Sequence, residues 1–358
     1  MNIVVTGGLG FIGSAVVRLL LGTDLGTRFG TDGAVSVLNI DAETYAATRG
    51  SVASVADSDR YRHCSIDIAD GSAVRDALVG FEPDAVIHLA AESHVDRSID
   101  GPGAFIRTNV VGTYELLQAA RLEAEQRNVL DRIRFLHVST DEVFGSLSME
   151  DPPFNEATAY DPRSPYSASK AASDHLVRAW HETFGLPTII TNCSNNYGPF
   201  HFPEKLIPLM ILKAVAREPL PVYGRGDNIR DWLFVEDHAR AIVTALLDGA
   251  PGQTYAIGGN AERTNLEVVH TICDLVDTEL GDEVGSRREL VTSVDDRPGH
   301  DLRYAIDPAK AGRELGWKPS VEFEQGLQQT VRWYLDNEWW WRPIVEQRYG
   351  GQRLGTPT

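Results

Sequence analysis

Short apolar segments alternate with longer amphipathic ones through the first half of the chain. Stretches with helical spacing, such as 15–21 and 109–123, separate runs of strand length at residues 2–6, 34–40, 84–90, 133–139 and 188–191. Short continuous apolar runs are typical of strands buried on both faces, and strands that alternate with helices predict a parallel sheet covered on both sides. The predicted fold class is therefore α/β, with a doubly wound parallel sheet.

The alternation stops after residue 191. Residues 192–203 are too rich in Asn, Gly, Pro and Ser to form another regular strand–helix unit. A chain of 358 residues is also longer than a single hydrophobic core usually accommodates, so two lobes are expected. We predict a first domain over 1–191 that is rejoined by about 230–248, a smaller α/β lobe over 192–349, and a flexible tail over 350–358.

A glycine-rich turn follows the first strand. Gly7, Gly10 and Gly13 form a G-x-x-G-x-x-G pattern between an apolar strand and a helix. This arrangement suits a dinucleotide, because the glycines allow the turn, close approach of a pyrophosphate and tight helix packing, and a helix N-terminus favours phosphate. Asp41, at the end of the second strand, would accept hydrogen bonds from the adenosine ribose and repel a 2′-phosphate. A Rossmann-type domain that binds NAD rather than NADP is predicted.

Two groups of polar residues point to proton transfer. Tyr166 and Lys170 share one face of a predicted helix, so the Lys170 ammonium is expected to lower the pKa of the Tyr166 hydroxyl from its usual value of about 10. Thr140, Asp141 and Glu142 follow a predicted strand, at the sheet edge where open α/β folds bind ligands. The tyrosine and lysine suit oxidation of a sugar hydroxyl to a ketone, and the acid pair suggests a further proton-transfer step. Taken alone, the tyrosine and lysine could also belong to an ordinary surface helix.

Composition narrows the functional classes. The formal net charge of −18 argues against a role on a nucleic-acid backbone or an anionic membrane. Three widely spaced cysteines support neither a disulfide framework nor a C-x-x-C metal site, and a cytoplasmic location is expected. Ten histidines lack ligand-like spacing, so no metal is expected. No signal peptide or long apolar span is apparent.

Seven sequence strings carry a family resemblance. They are T-G-G-L-G-F-I-G at 6–13, A-A-E-S-H-V-D-R-S-I at 90–99, S-T-D-E-V-F-G at 139–145, S-P-Y-S-A-S-K at 164–170, N-C-S-N-N-Y-G-P at 192–199, H-F-P-E-K-L-I-P at 201–208 and D-R-P-G-H-D-L-R-Y at 296–304. Across residues 1 to about 341 the chain resembles the dTDP-glucose 4,6-dehydratases of the extended short-chain dehydrogenase/reductase superfamily. One departure is visible: Ala42 stands where the family has lysine, which implies the loss of a cofactor contact.

The resemblance implies two sets of binding residues, with NAD held by the first domain and a nucleotide sugar by the lobe over 192–349. The cofactor-binding residues would be Gly7, Gly10, Phe11, Ile12, Gly13, Asp41, Thr44, Asp67, Ile68, Leu89, Ala91, Thr108, Tyr166, Lys170 and Asn195. The substrate-binding residues would be Ser93, Thr140, Asp141, Glu142, Asn196, Glu204, Lys205, Leu206, Pro221, Tyr223, Arg230, Asn265, Arg297 and Tyr304. Lys205, Arg230 and Arg297 carry the positive charge that a pyrophosphate needs, and Tyr223 can stack on a pyrimidine.

The implied reaction converts dTDP-glucose to dTDP-4-keto-6-deoxyglucose, with NAD recycled in each turnover. Tyr166 would be the base for oxidation at C4, assisted by Thr140 and Lys170, and Asp141 and Glu142 would be the acid and base for loss of water. Related enzymes pair through helices near 109–123, which implies a homodimer. In this chain that stretch places Val110, Tyr114, Leu117 and Ala120 on one face, a pattern that is more often core than interface.

Two alternatives stay open at this point. A nucleotide-sugar 4-epimerase, or a 4,6-dehydratase for another nucleotide, would use the same Tyr166 and Lys170. Thymine and uracil differ by one methyl group, worth about 1 kcal/mol in a pocket, so the base is not fixed by physics alone. A non-catalytic NAD-binding regulatory protein would keep the glycine turn and lose catalytic groups, none of which is lost here.

Overall fold

In the computed structural model, the described residues 1–22, 34–296 and 299–349 form a large parallel sheet between two helical layers, and a smaller group of strands and helices. The strands in these ranges are β1 (Asn2–Thr6), β2 (Ser36–Asp41), β3 (Tyr61–Ser65), β4 (Ala85–His88), β5 (Arg134–Thr140), β6 (Thr188–Cys193), β7 (Asn195–Tyr197), β8 (Leu220–Tyr223), β9 (Ile229–Phe234), β10 (Thr254–Ile257), β11 (Glu262–Thr264) and β12 (Val291–Val294). The tail predicted for 350–358 lies outside the described residues.

Helices connect most of these strands. They are α1 (Phe11–Leu21), α2 (Gly71–Phe81), α3 (Val95–Asp100), α4 (Pro102–Phe105), α5 (Thr113–Gln126), α6 (Pro165–Phe184), α7 (Leu206–Ala216), α8 (Val235–Asp248), α9 (Asn265–Leu280), α10 (Ala309–Leu315), α11 (Phe323–Asp336) and α12 (Glu338–Gln347). A π-helical segment, Ile106–Gly112, joins α4 to α5, and a short 3-10 helix, Asp141–Phe144, follows β5. Across the described ranges, no helix is both long enough and apolar enough to cross a membrane.

The large sheet has the strand order β3-β2-β1-β4-β5-β6-β10, and every neighbouring pair in it is parallel. The first six strands follow the order of a dinucleotide-binding Rossmann sheet, and β10 extends it at one edge. The predicted α/β fold with a doubly wound parallel sheet is confirmed. All the strands of this sheet therefore end at the same edge.

Side chains on both faces of the sheet are buried, which explains the continuous apolar runs. In β1, Ile3 and Val5 belong to the hydrophobic core on one side, and Val4 belongs to the core on the other. Successive residues of a strand point to opposite faces, so a strand covered on both sides favours apolar residues at consecutive positions. Helices α1 and α8 pack together over one core, and α2 and α5 pack together over the other.

The chain leaves the large sheet after β6 and returns to it. In the smaller group, β9 pairs with β7 and β11, and β8 pairs with β12. Helix α8 then packs on α1, and β10 pairs with β6, so the return extends to residue 257. The division of the chain into lobes near residue 191 stays a prediction.

The helix predicted over 109–123 begins within the π-helical segment and continues as α5. Leu117 and Ala120 are fully buried in the core beneath this helix, Val110 is half-buried, and Tyr114 is 40% exposed. The four residues predicted to share one face of this helix are therefore divided between the core and the surface.

Candidate active site

A cavity of about 420 Å³ lies at the edge where the parallel strands end. The loops that follow β1, β2, β4, β5 and β6 all contribute to its wall, and the segment before α7 closes it from the smaller group of elements. Because a parallel sheet gathers the ends of its strands at one edge, residues far apart in sequence meet here.

The glycine turn shapes one end of the cavity. Gly7 has a φ of +72°, and a Cβ there would lie 2.8 Å from the backbone nitrogen of Ala90. A Cβ at Gly13 would overlap the carbonyl oxygen of Gly7, whereas a Cβ at Gly10 would lie 3.3 Å from that oxygen. Helix α1 begins here with no side-chain cap and no acidic residue in its first turn. This end therefore fits an anionic pyrophosphate, as the sequence predicted.

Asp41 ends β2 at the border of the same cavity. Its carboxylate accepts hydrogen bonds from the backbone N–H groups of Leu9 (3.0 Å) and Glu43 (2.8 Å), which fix its orientation. Burial raises the pKa of Asp41, although these two hydrogen bonds oppose the shift. Each carboxylate oxygen keeps acceptor capacity for a ribose hydroxyl. Ala42 lines the cavity next to Asp41, and its methyl side chain brings no charge to this position.

All the residues predicted to bind the cofactor line this one cavity, from Gly7 in the first loop to Asn195 after β6. The geometry brings together thirteen positions besides these two: Gly10, Phe11, Ile12, Gly13, Asp41, Thr44, Asp67, Ile68, Leu89, Ala91, Thr108, Tyr166 and Lys170. The individual contacts of these residues with NAD stay predictions.

The acid pair lies in the same cavity, directly after β5. The Thr140 hydroxyl accepts a hydrogen bond from the Glu142 N–H and donates one to Asp141 Oδ1 (3.2 Å), which holds the turn in place. Asp141 is 1% exposed, and its Oδ2 has no hydrogen-bond partner among the described residues. Burial, followed by the charges of Glu142 and Asp231, raises the pKa of Asp141 well above its ordinary value. Asp141 therefore holds a proton far more readily than a carboxyl group in water, and it lies beside a second carboxyl group.

Tyr166 and Lys170 project from α6. Ser164 forms a capping box with Ser167 and Pro165 occupies the first turn, so the helix starts where Tyr166 faces the cavity. Burial, then the charge of Glu142, raises the pKa of Tyr166 well above 10, and a hydrogen bond with Thr140 opposes this.

The expectation that Lys170 lowers the pKa of Tyr166 is therefore wrong for the protein by itself. The Lys170 ammonium donates to the carbonyl oxygen of Val138 (2.9 Å), while the carboxylate of Glu142 acts on the tyrosine hydroxyl. Burial also lowers the pKa of Lys170 itself to about 8.

The predicted substrate-binding residues fall into two groups. Those that line the cavity are Ser93, Thr140, Asp141, Glu142, Asn196, Glu204, Lys205 and Leu206. Those outside its wall are Pro221, Tyr223, Arg230, Asn265 and Tyr304. Arg297 lies outside the described residues.

Several of these side chains already have partners within the protein. The Glu204 carboxylate accepts hydrogen bonds from the Tyr45 hydroxyl (2.9 Å) and Arg97 Nε (3.0 Å). Arg230 is buried, stacks on the ring of Tyr304 at 4.3 Å, and donates to backbone carbonyl oxygens. The Arg230 charge acts on Asp141, so this arginine borders the acid pair. Its role toward a pyrophosphate stays a prediction.

Two features of the site were not predicted from the sequence. Asn109, in the π-helical segment, binds the backbone of Glu92 through both amide atoms and donates to Ser169 Oγ (2.8 Å), which ties a cavity loop to α6. Asp174 lies four residues after Lys170 and binds polar groups from three other segments. The same helical spacing that pairs Tyr166 with Lys170 would have indicated Asp174.

The chain is similar to sugar-nucleotide dehydratases in both sequence and structure. The sequence family described as GDP-mannose 4,6 dehydratase matches residues 4–330. The chain is 54% identical over 374 aligned positions to dTDP-glucose 4,6-dehydratase 1 of Escherichia coli K12, covering 99% of this chain and 100% of the relative. It is 55% identical to the dTDP-glucose 4,6-dehydratase of Neisseria meningitidis, with 99% of each chain covered. Among solved structures, the chain is similar to DesIV, a dTDP-glucose 4,6-dehydratase from Streptomyces venezuelae with NAD and TYD bound. The TM-score is 0.86 at 44% sequence identity, and the alignment covers 96% of this chain and 100% of the DesIV chain.

Two glycine substitutions should separate the packing role of the turn from its binding role. Gly13→Ala places a methyl group against the Gly7 carbonyl, so it should destabilise the fold by about 1–3 kcal/mol and also weaken NAD binding. Gly10→Ala places its methyl group 3.3 Å from the Gly7 carbonyl oxygen, a tight contact but not an overlap, and it narrows the cavity. It should therefore destabilise the fold much less than Gly13→Ala and weaken NAD binding by roughly tenfold or more, about 1.4 kcal/mol. Calorimetric titration with NAD and denaturant unfolding would check both. Equal loss of stability in the two variants would contradict this division.

Proposed function

The chain belongs to the dTDP-glucose 4,6-dehydratases, and from that membership we propose how its own residues divide the reaction. The reaction is the NAD-dependent removal of water from dTDP-glucose, which gives dTDP-4-keto-6-deoxyglucose. One observation carries the assignment of roles: Asp141, a buried carboxyl group with a raised pKa, stands next to Glu142 in the cavity that also contains Tyr166.

The first step is oxidation of the sugar at C4. Tyr166 takes the proton of the 4-hydroxyl group. The Lys170 ammonium and the Thr140 hydroxyl stabilise the negative charge that develops on the oxygen atoms between which this proton moves. Bound NAD⁺ supplies the hydride acceptor for C4, the later donor for C6, and a positive nicotinamide ring that favours the Tyr166 phenolate. The product of this step is a 4-ketone, which makes the hydrogen at C5 acidic.

The second step is loss of water across C5 and C6. Glu142 takes the proton from C5 while Asp141 gives its proton to the 6-hydroxyl group, so that water leaves and a conjugated enone forms. Asp141 suits the role of acid because burial and the charge of Glu142 raise its pKa and so favour its protonated form. When C6 is reduced, Glu142 returns a proton to C5. Each carboxyl group thus has a defined task.

The acid pair favours dehydration over 4-epimerisation. An epimerase needs the base Tyr166 and the neighbouring Lys170, but it has no step that uses a buried neutral acid beside a second carboxyl group. Because Asp141 gains its high pKa partly from Glu142, the two residues act as a unit.

An isotope experiment tests the proposed course of the reaction. Deuterium placed at C4 of dTDP-glucose should appear at C6 of the product, and solvent hydrogen should enter at C5, because the transfer from C4 to C6 occurs within one active site. Mass spectrometry and NMR of the product would locate both labels. Return of the label to C4 of an epimer that keeps its 6-hydroxyl group would support epimerisation instead.

Replacement of the C5 base should separate oxidation from elimination. Glu142→Gln keeps the size of the side chain but removes its basicity, so oxidation should survive while elimination slows by about 10²-fold or more. Absorbance at the wavelength of reduced nicotinamide should then rise on the enzyme. Tyr166→Phe is the matched control, since it blocks the first step and should give no such rise. Normal turnover by Glu142→Gln would remove Glu142 from the mechanism.

We also propose that the protein is a homodimer. Ile106, Tyr114 and Phe184 are 39–50% exposed large hydrophobic residues, and they come from the π-helical segment, α5 and α6. Tyr114 and Phe184 both pack on Trp180, and Arg121 lies over the Phe184 ring. A shared apolar surface on neighbouring helices suits pairing with a second copy.

Charge placed on this surface should separate the subunits. Light scattering of the wild-type protein at micromolar concentration should give twice the chain mass of 39.4 kDa, and the Tyr114→Glu variant should shift toward 39.4 kDa. Val79→Glu, on α2, is the control because Val79 is 50% exposed elsewhere and should leave the mass unchanged. A wild-type protein found only at 39.4 kDa would contradict the dimer.

A cytoplasmic location is also proposed. Cys64, Cys193 and Cys273 are all free thiols, and two of them are buried. Unpaired cysteines are typical of a reducing compartment.

A further inference from the structure

A buried polar cluster joins α6 to strands β5 and β6 next to Lys170. Its centre is Asp174, whose side chain is fully buried. Asp174 Oδ2 accepts hydrogen bonds from Ser139 Oγ (2.9 Å), the Tyr160 hydroxyl (2.8 Å) and Asn192 Nδ2 (3.2 Å). All three donors are neutral, so none of them balances the charge of the carboxylate.

His137 lies between Asp174 and Lys170. Its Nε2 is 3.2 Å from Asp174 Oδ1 and 3.4 Å from the Lys170 ammonium nitrogen, and both the imidazole and the carboxylate are fully buried. A proton on Nε2 would point toward the carboxylate, whereas a proton on Nδ1 would leave a buried donor without a partner and set a lone pair against Asp174. The Lys170 ammonium can only donate, so its contact with Nε2 requires a lone pair there, whereas the tautomer with a proton on Nε2 directs that proton toward the carboxylate. In either tautomer the imidazole lies between the carboxylate and the ammonium group.

The other titratable groups around Lys170 are neutral at physiological pH. Burial, with the charge of Lys170, lowers the pKa of His137 to about 4, and burial also lowers the pKa of His88 well below its ordinary value. Burial raises the pKa values of the Cys193 thiol and of Tyr166. Burial also opposes ionisation of Asp174, but the hydrogen bond and charge of His137, the charge of Lys170 and the hydrogen bond from Ser139 outweigh burial and lower its pKa. Within this set of groups, Asp174 therefore supplies the negative charge that balances the ammonium.

We propose that Asp174 is a positioning residue that keeps Lys170 protonated and directed toward the active site, acting across His137. The inference rests on the role proposed above for Lys170 in the oxidation step. Asp174 itself does not touch the substrate cavity, so its effect on the reaction passes through the lysine.

The electrostatic balance explains why this residue matters. A buried ammonium loses hydration, and its pKa is already lowered to about 8 by burial, with Asp174 opposing that shift. Removing the charge of one member of a buried pair leaves the other uncompensated. Without the Asp174 carboxylate, Lys170 should lose its proton within the neutral pH range.

The test is the pH dependence of kcat in the Asp174→Asn variant of the full-length enzyme. Wild-type kcat should fall on the alkaline side with a midpoint near pH 8, and the midpoint in the variant should lie at least one pH unit lower, a tenfold change in proton affinity. KM for dTDP-glucose should change far less than kcat at pH 7.5. Ser173→Ala is the matched control, because this buried neighbour on α6 donates only to helix carbonyl oxygens and should leave the midpoint in place.

A second variant and a second measurement keep the test decisive. If Asp174→Asn does not fold, Asp174→Ser removes the same carboxylate with a smaller side chain that can still form hydrogen bonds, and it should shift the midpoint in the same direction. The chain has five lysines, so NMR of protein labelled with ¹³C at the lysine side chains can follow Lys170 directly, with Lys170→Arg to assign it.

The outcomes distinguish this inference from the function proposed above. A Lys170 resonance that titrates at the same pH in wild type and variant would overturn the role of Asp174. A resonance that shifts while the kcat profile stays in place would support that role and contradict the part assigned to Lys170 in catalysis. Unchanged dTDP-glucose turnover in Lys170→Met would likewise count against the proposed mechanism and not against Asp174.

Discussion

Burial of ionisable groups at the carboxyl edge of the large sheet is the constraint on which the active site depends. The same loss of hydration raises the pKa values of Asp141 and Tyr166 and lowers those of Lys170 and His137. In water at pH 7 an aspartate would be ionised and could not act as an acid. Enclosure beside Glu142 favours the protonated form of Asp141, which suits the acid role proposed for it, and burial lowers the pKa of Lys170 to about 8.

The scaffold delivers these groups through a few rigid connections. Helix α6 carries Tyr166, Lys170 and Asp174 on one face, and its start is fixed by the capping box at Ser164. Asn109 ties the loop after β4 to that helix through hydrogen bonds to Glu92 and Ser169. Because each connection is a directed hydrogen bond, and the one from Asn109 to Ser169 is buried, these contacts limit the relative movement of the groups on α6 and the loop after β4.

The cofactor and substrate sides of the cavity are also connected directly. Arg97 stacks on the ring of Tyr45 at 3.9 Å, and both side chains bind the carboxylate of Glu204. Trp340 in α12 also donates to Ser51 Oγ, so α12 packs on the segment that follows Asp41. Glu204 is therefore held by the cofactor side of the molecule, and the two sides form a continuous structure across the cavity.

The fold class, the position of the glycine turn and the identity of the chemical groups can be read from the order of residues along the chain. Those features follow from local rules: apolar periodicity, the steric freedom of Gly7 and Gly13, and the i to i+4 spacing of Tyr166 and Lys170. The tertiary structure decided which groups are charged. Lys170 faces the Val138 carbonyl and the His137–Asp174 pair, so it does not lower the pKa of Tyr166 in the protein alone, and Leu117 belongs to the core while Tyr114 is exposed. Charge state and exposure depend on what distant segments place around a residue, and spacing along the chain does not specify those neighbours.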